Sequence, residues 1–137
     1  MSVQITEAIS NLDKRLKSLK SAITKYHKKL GTDEEEDYLE LIIKRFESSD
    51  ETAKKLMKVY LNYLGETSEL PANKLFKKAH EYSFIDNDTW FEMNNDRNKT
   101  THEYDEVFAK ELAEKVIDTY IIIIENFYNS IVEDYQE

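Results

Sequence analysis

Eight apolar residues, Ile5, Ile9, Leu12, Leu16, Leu19, Ile23, Tyr26 and Leu30, recur at separations that alternate between four and three. That repeat paints one stripe along a helix and leaves the positions between it, where most of the lysines fall, to water. The same repeat returns in Leu39, Ile42, Phe46, Ser49, Ala53, Leu56, Tyr60 and Tyr63. Ser48, Ser49 and Asp50 then read as a polar patch inside a second helix over about 33–65, with a kink there as the smaller alternative. Gly31 can close the first helix in a left-handed turn. Thr32 can cap the second, with Glu35 completing a capping box and the acids from Asp33 to Glu36 complementing the helix N-terminus.

The rest of the chain continues in helices. Glu66 to Leu70 is expected as a short connector, and Pro71 suits the first turn of a third helix over about 71–82. Leu75, Phe76 and Ala79 face inward there, and His80 is a surface histidine. Asp86 or Asp88 can cap a fourth helix that carries Trp90, Phe91 and Met93, with Trp90 as a core anchor and Arg97 near the end. Thr100 and Thr101 loosen that end, and Asp105 can start a last helix reaching about Asp134. With two glycines and one proline in 137 residues, the expectation is an all-α fold: one domain over 1–137, a mostly antiparallel bundle of four to five helices. Between Tyr120 and Tyr128 the last helix is apolar on nearly every side. One bundle core cannot cover a helix all round, so a homodimer is expected.

Cysteine is absent, which excludes disulfides and thiolate metal sites and fits a reducing cytoplasm. The longest apolar run, Tyr120 to Ile124, is too short to span a membrane, and the N-terminus lacks the apolar core of a signal peptide. The net charge of −9 argues against a general nucleic-acid binder. Residues 1–30, however, hold seven bases against two acids, so a local basic surface can still meet phosphates. Ordinary solvated helix faces explain those lysines equally well.

Three arginines and three histidines occur in the chain, and one of each sits in Asp96-Arg97-Asn98-Lys99-Thr100-Thr101-His102-Glu103-Tyr104-Asp105-Glu106. Arginine forks onto a phosphate and keeps its charge. Histidine exchanges a proton near neutral pH. The pair suits cleavage of a phosphodiester without a metal, and the scattered carboxylates offer no metal-ligand spacing. By itself an Arg-x4-His spacing is a common coincidence.

Several segments in order make it more specific. Arg45-Phe46-Glu47 lies inside the long second helix, followed by Glu51, Lys55 and Tyr60-Leu61. Ala79 and Trp90 precede Asp96-Arg97-Asn98, then Thr100-Thr101, His102-x-Tyr104-Asp105-Glu106 and Ala109. In these the chain resembles the HEPN superfamily, and within it the nucleotidyltransferase substrate-binding group encoded beside minimal nucleotidyltransferases. The sequence departs from that group after Glu47, where Ser48, Asp50, Thr52 and Lys54 replace aromatic and large apolar residues.

The resemblance implies a dimerising helical bundle that brings two signatures to one cleft. It implies a metal-independent endoribonuclease of a toxin–antitoxin pair, acting on RNA with no cofactor. His102 would be general base or acid, Arg97 would hold the phosphate, and Asn98 would be a polar helper. Tyr104 would accept AMP from the partner nucleotidyltransferase, adding charge and bulk that block RNA. The alternative is a non-catalytic subunit that presents a substrate or nucleotide to that partner. A third reading is a helical scaffold in which Arg97 and His102 only tie helix ends together.

Overall fold

The computed structural model describes residues 2–66 and 70–136; the part of the expected connector at Thr67, Ser68 and Glu69 lies outside them. The described residues form α1 (Val3–Lys28), α2 (Glu35–Tyr63), α3 (Ala72–Glu81), α4 (Asn87–Lys99), α5 (Glu106–Lys115), a π turn (Val116–Tyr120) and α6 (Ile121–Gln136). No strand occurs among them, and the fold is an all-α helical bundle.

The two long stripes pack on each other as an α1–α2 hairpin. Ile5, Leu12, Leu16, Leu19 and Tyr26 of α1 are buried, as are Ile42, Phe46, Leu56 and Tyr60 of α2. Each large apolar side chain so removed from water contributes about 1.5–3 kcal/mol. Small residues let the two backbones approach, with Ala22, Ser49 and Ala53 fully covered. The Ser49 hydroxyl donates to the Arg45 carbonyl at 2.9 Å, so a polar side chain sits in the seam without an orphaned group. The Arg45 guanidinium donates to the Ser18 carbonyl of α1 at 2.7 Å. α2 is continuous across Ser48 to Asp50. Where the repeat reaches or passes the helix ends its residues are wet: Leu30, beyond α1, and Tyr63, the last residue of α2, are 51% and 55% exposed.

The α1–α2 connection corrects the expected cap. Gly31 has φ +80, but α2 starts at Glu35 and Thr32 is not its N-cap. The expected capping box does not close: Thr32 Oγ1 accepts from the Glu34 N–H at 3.2 Å rather than from that of Glu35, and Glu35 Oε1 accepts from the Gly31 N–H at 2.8 Å rather than from that of Thr32. At the other end of α2, Gly65 takes φ +102 and its neighbour Glu66 donates its N–H to the Leu61 carbonyl. Ser83 at φ +65 closes α3 in the same way, with the Phe84 N–H on the Ala79 carbonyl. Pro71 is the N-cap of α3, one position before the first turn.

Contacts at the ends set the directions. The Ser2 N–H donates to the Tyr135 hydroxyl at 2.6 Å, which places the end of α6 beside the start of α1. The Tyr60 hydroxyl donates to Asp134, placing the same end beside the end of α2. α5–α6 therefore runs antiparallel to α1 and parallel to α2, because the α3–α4 segment carries the chain back between them. Trp90 anchors that segment, 1% exposed, edge-on to Phe127 and tilted against Phe76. Leu75, Phe76, Ala79 and Met93 are buried around it.

The last helix is less naked than its composition implies. Tyr120, Ile121, Ile124 and Phe127 are buried within the chain itself, and Ile123 and Tyr128 are half-buried. Of this stretch Ile122 stands out, 51% exposed. No described helix is long and apolar enough to cross a membrane.

Candidate functional site at the α4–α5 joint

The Asp86 carboxylate caps α4 by accepting from the Asp88 N–H at 3.0 Å, and α4 runs on to Lys99. Its last turn is finished by the two threonines. Thr100 Oγ1 donates to the Arg97 carbonyl at 2.6 Å and Thr101 Oγ1 to the Asn98 carbonyl at 2.7 Å, taking carbonyls that the helix end leaves without partners. Three residues, His102, Glu103 and Tyr104, then lead to Asp105, whose carboxylate accepts from the Phe108 N–H at 2.8 Å and starts α5. The signature is thus a short joint held between a finished helix end and a capped helix start.

Asp96 fastens the joint inward. It is 6% exposed, and its Oδ2 accepts from the Tyr120 hydroxyl at 2.5 Å and from Lys115 Nζ at 3.2 Å. Tyr120 ends the π turn and stacks on Phe46 with ring centroids 5.6 Å apart. Burial, then the Asp96 carboxylate, push the Tyr120 phenol above its ordinary pKa, so it stays a donor at neutral pH.

Arg97 points to α2, where its guanidinium pairs with Glu51; the Arg97 side chain is 14% exposed and that of Glu51 61%. Next to Glu51, Asp50 is fully buried. Lys54 Nζ lies 2.7 Å from Asp50 Oδ2 and forms an ion pair with it. Lys54 directs its bond to the Asn94 side chain of α4. Burial pushes the Asp50 carboxyl up, and Lys54 and Arg97 oppose that.

His102 is exposed on the joint. Its backbone N–H meets the Lys99 carbonyl at 3.3 Å, and its imidazole has no hydrogen bond among the described residues. Asn98 is exposed, and no hydrogen bond joins its amide to Arg97. Tyr104 is half-buried, edge-on to Phe108, and its hydroxyl donates to Glu40 Oε2 at 3.2 Å. Burial first, then Glu40 and Glu47, hold that phenol above its usual pKa.

The joint therefore lies along one face of α2, antiparallel to it: Arg97 on Glu51, Tyr104 on Glu40, with Glu47 between. Eleven residues of α2 separate the two partners, about 16 Å at ~1.5 Å per residue. Arg97 and His102 share the joint without an ion pair or hydrogen bond between them. Glu40, Asp50, Asn94, Lys115 and Tyr120 are contributors that sequence reasoning passed over. The signal for the glutamates was present, since Glu40, Glu47 and Glu51 fall on one helical stripe, but a charged stripe normally faces water. Arg45-Phe46-Glu47 is explained residue by residue: a tie to α1, a core ring against Tyr120, and a carboxylate towards Tyr104. Among the described residues no group of three His, Asp or Glu side chains is placed to hold a metal.

Fold and site together define a helical bundle bearing an Arg-x4-His-x-Tyr joint against its longest helix. The family described as nucleotidyltransferase substrate binding protein like matches residues 7–133, and the chain belongs to it. No curated protein matches the sequence.

Proposed function

We propose that this chain is the HEPN-type partner of a minimal nucleotidyltransferase, and that its α4–α5 joint cleaves RNA without a metal until Tyr104 is adenylylated. The observation that supports this best is the joint itself: Arg97, His102 and Tyr104 on one segment, fastened by Asp96 and Asp105, with the imidazole in open water. His102 takes the proton of a 2′-hydroxyl as that oxygen attacks the adjacent phosphorus. The P–O5′ bond breaks, and the proton is returned to the leaving oxygen, giving a 2′,3′-cyclic phosphate and a 5′-hydroxyl. Arg97 leaves Glu51 to hold the charge on the phosphate oxygens, with Asn98 as a polar helper. The exposure of Val107 (66%) on α5 and Ile122 (51%) on α6 supports a homodimer through the α5–α6 segment. The setting is the cytoplasm, and the cleavage uses no cofactor.

Silencing follows from Tyr104. Its oxygen attacks the α-phosphorus of ATP held by the partner, pyrophosphate leaves, and Glu40 receives the phenol proton. The added phosphate repels RNA from the joint. A second reading, a non-catalytic binding subunit that presents a substrate or nucleotide to the partner, is favoured by one observation: Arg97 is already neutralised by Glu51. Incubating the purified protein with RNA in EDTA, beside His102→Ala, separates them. Cleavage that vanishes in His102→Ala supports the first reading. A folded protein that leaves total RNA and tRNA intact, with Tyr104 unmodified by mass, supports the second.

A further inference from the structure

A second polar feature lies away from the joint. On the outer side of the α1–α2 hairpin runs a groove of about 420 Å³ lined by Asn11, Lys14, Arg15, Thr52 and Lys55. It adjoins a cavity of about 180 Å³ that shares Asn11, Thr52 and Lys55 and continues along Gln4, Glu7, Ala8 and Val59. Ligand pockets typically measure ~300–1,000 Å³. The α1 positions from Gln4 to Arg15 recur at helical spacing on one face, so the valley is about 16 Å long at ~1.5 Å per residue.

The charges in it are unbalanced. No carboxylate lines the larger part. Elsewhere on and just after α1, Lys17 pairs with Asp13, Lys20 with Glu125 and Lys29 with Glu34, while Lys25 and Lys28 near its end form no ion pair among the described residues but line no part of this groove. Among the described residues Lys14, Arg15 and Lys55 form no ion pair, in a chain that carries 28 acids against 19 bases. Three converging cations left unpaired in so acidic a protein repel one another until an anion joins them.

We propose that this valley is a binding site for a nucleoside phosphate. The phosphate sits among Lys14, Arg15 and Lys55, with Arg15 forking onto two oxygens and the Thr52 hydroxyl and Asn11 amide donating beside it. The base lies over Ala8 and Val59, where the Gln4 and Asn11 amides and the Glu7 carboxylate meet its edge. A continuous RNA strand fits less well, because its next phosphates would meet Glu7 where no cation waits. The site is built without Arg97, His102 or Tyr104, so it stands whether or not the joint cuts RNA.

Calorimetry on the full chain tests it, with AMP, ATP, adenosine, inorganic phosphate and a short single-stranded RNA as probes. AMP or ATP is expected to bind, with adenosine and phosphate each at least about tenfold weaker, since each makes half of the contacts. Arg15→Ala and Lys55→Ala, both at exposed positions, each weaken nucleotide binding at least about tenfold. His102→Ala binds the nucleotide as the parent does. Four results overturn the site: no nucleotide binding at millimolar ligand, phosphate binding as tightly as AMP, RNA binding more tightly than either nucleotide, or affinity lost in Arg97→Ala but kept in Arg15→Ala and Lys55→Ala. RNA cleavage is scored separately, so a protein that cuts no RNA is still expected to bind the nucleotide.

Discussion

The Tyr120 hydroxyl donates to Asp96 Oδ2 at 2.5 Å, and the next residue after Asp96 is Arg97. Tyr120 stands at the end of the π turn, where one extra residue in the turn rotates everything beyond it relative to a regular helix. Its ring lies on Phe46 in the core, and its oxygen reaches the base of the joint. The packing of the last helix and the position of the arginine are therefore one structural fact.

Tyr120→Phe removes that donor and leaves the buried Asp96 carboxylate with Lys115 alone. The expected cost is about 1–3 kcal/mol, read as a fall of roughly 3–6 °C in Tm for each kcal/mol. A melt unchanged from the parent would show that water replaces the hydroxyl and that the clasp contributes nothing.

Asp50 gives a pH prediction with a definite sign. Its carboxyl is raised by burial, so the folded chain favours the protonated form more than the unfolded chain does. The stability it contributes is complete below the ordinary carboxylate pKa of about 3.9 and is lost as pH rises through the higher folded value. Replacing Asp50 and Lys54 together by leucine should remove that downward component. Urea unfolding at neutral pH should show a double variant as stable as the parent, or more stable by about 1–4 kcal/mol. A double variant clearly weaker than the parent would mean that the pair is a net stabilising contact between α2 and α4.

Glu51→Gln releases Arg97 from its carboxylate. The Glu51 side is exposed, so the fold should lose no more than ~1 kcal/mol. A free guanidinium should lower the KM for RNA several-fold with kcat little changed, since a competing anion has been removed. A higher KM would instead assign Glu51 to holding Arg97 in its working position.

The Tyr104 hydroxyl donates to Glu40 Oε2 at 3.2 Å, which makes Glu40 the base in the proposed transfer. Because burial and carboxylates keep that phenol protonated at neutral pH, transfer of AMP to it needs a base. Glu40→Gln should slow labelling of Tyr104 by the cognate nucleotidyltransferase about 10²–10⁴-fold, followed by mass spectrometry, while Tyr104→Phe gives no label at that position. Labelling of Glu40→Gln at the parent rate would move the base to the partner enzyme.

Much of the architecture was legible because helix pairing reads local periodicity. The two stripes, Gly31, Asp86 and Asp105 each act within a turn or two of chain, and each acts in the structure near where the spacing places it. The misses lie where a terminus or a contact between distant segments decides. Thr32 turns its hydroxyl to the Glu34 N–H and Glu35 reaches Gly31, so α2 begins three residues beyond the expected cap. In the apolar last stretch, Tyr120 found Phe46 and Phe127 found Trp90 within the same chain, contacts that the composition could not specify. The polar residues after Glu47, read only as a departure from the family pattern, became two distinct things: Asp50 and Lys54 clasp α4, and Thr52 lines the α1–α2 valley.

The sequence alone determined that this chain is helical, roughly which segments form its helices, and which segment carries the Arg-x4-His-x-Tyr groups, because those properties depend on neighbours three or four residues apart. Only the tertiary structure decided that Arg97 lies on Glu51, that Tyr104 lies on Glu40, and that Lys14, Arg15 and Lys55 share a groove. Those partners are some 40 to 65 residues apart in the chain. A helical stripe states which side a residue faces, but what waits on that side is set by the packing of another helix.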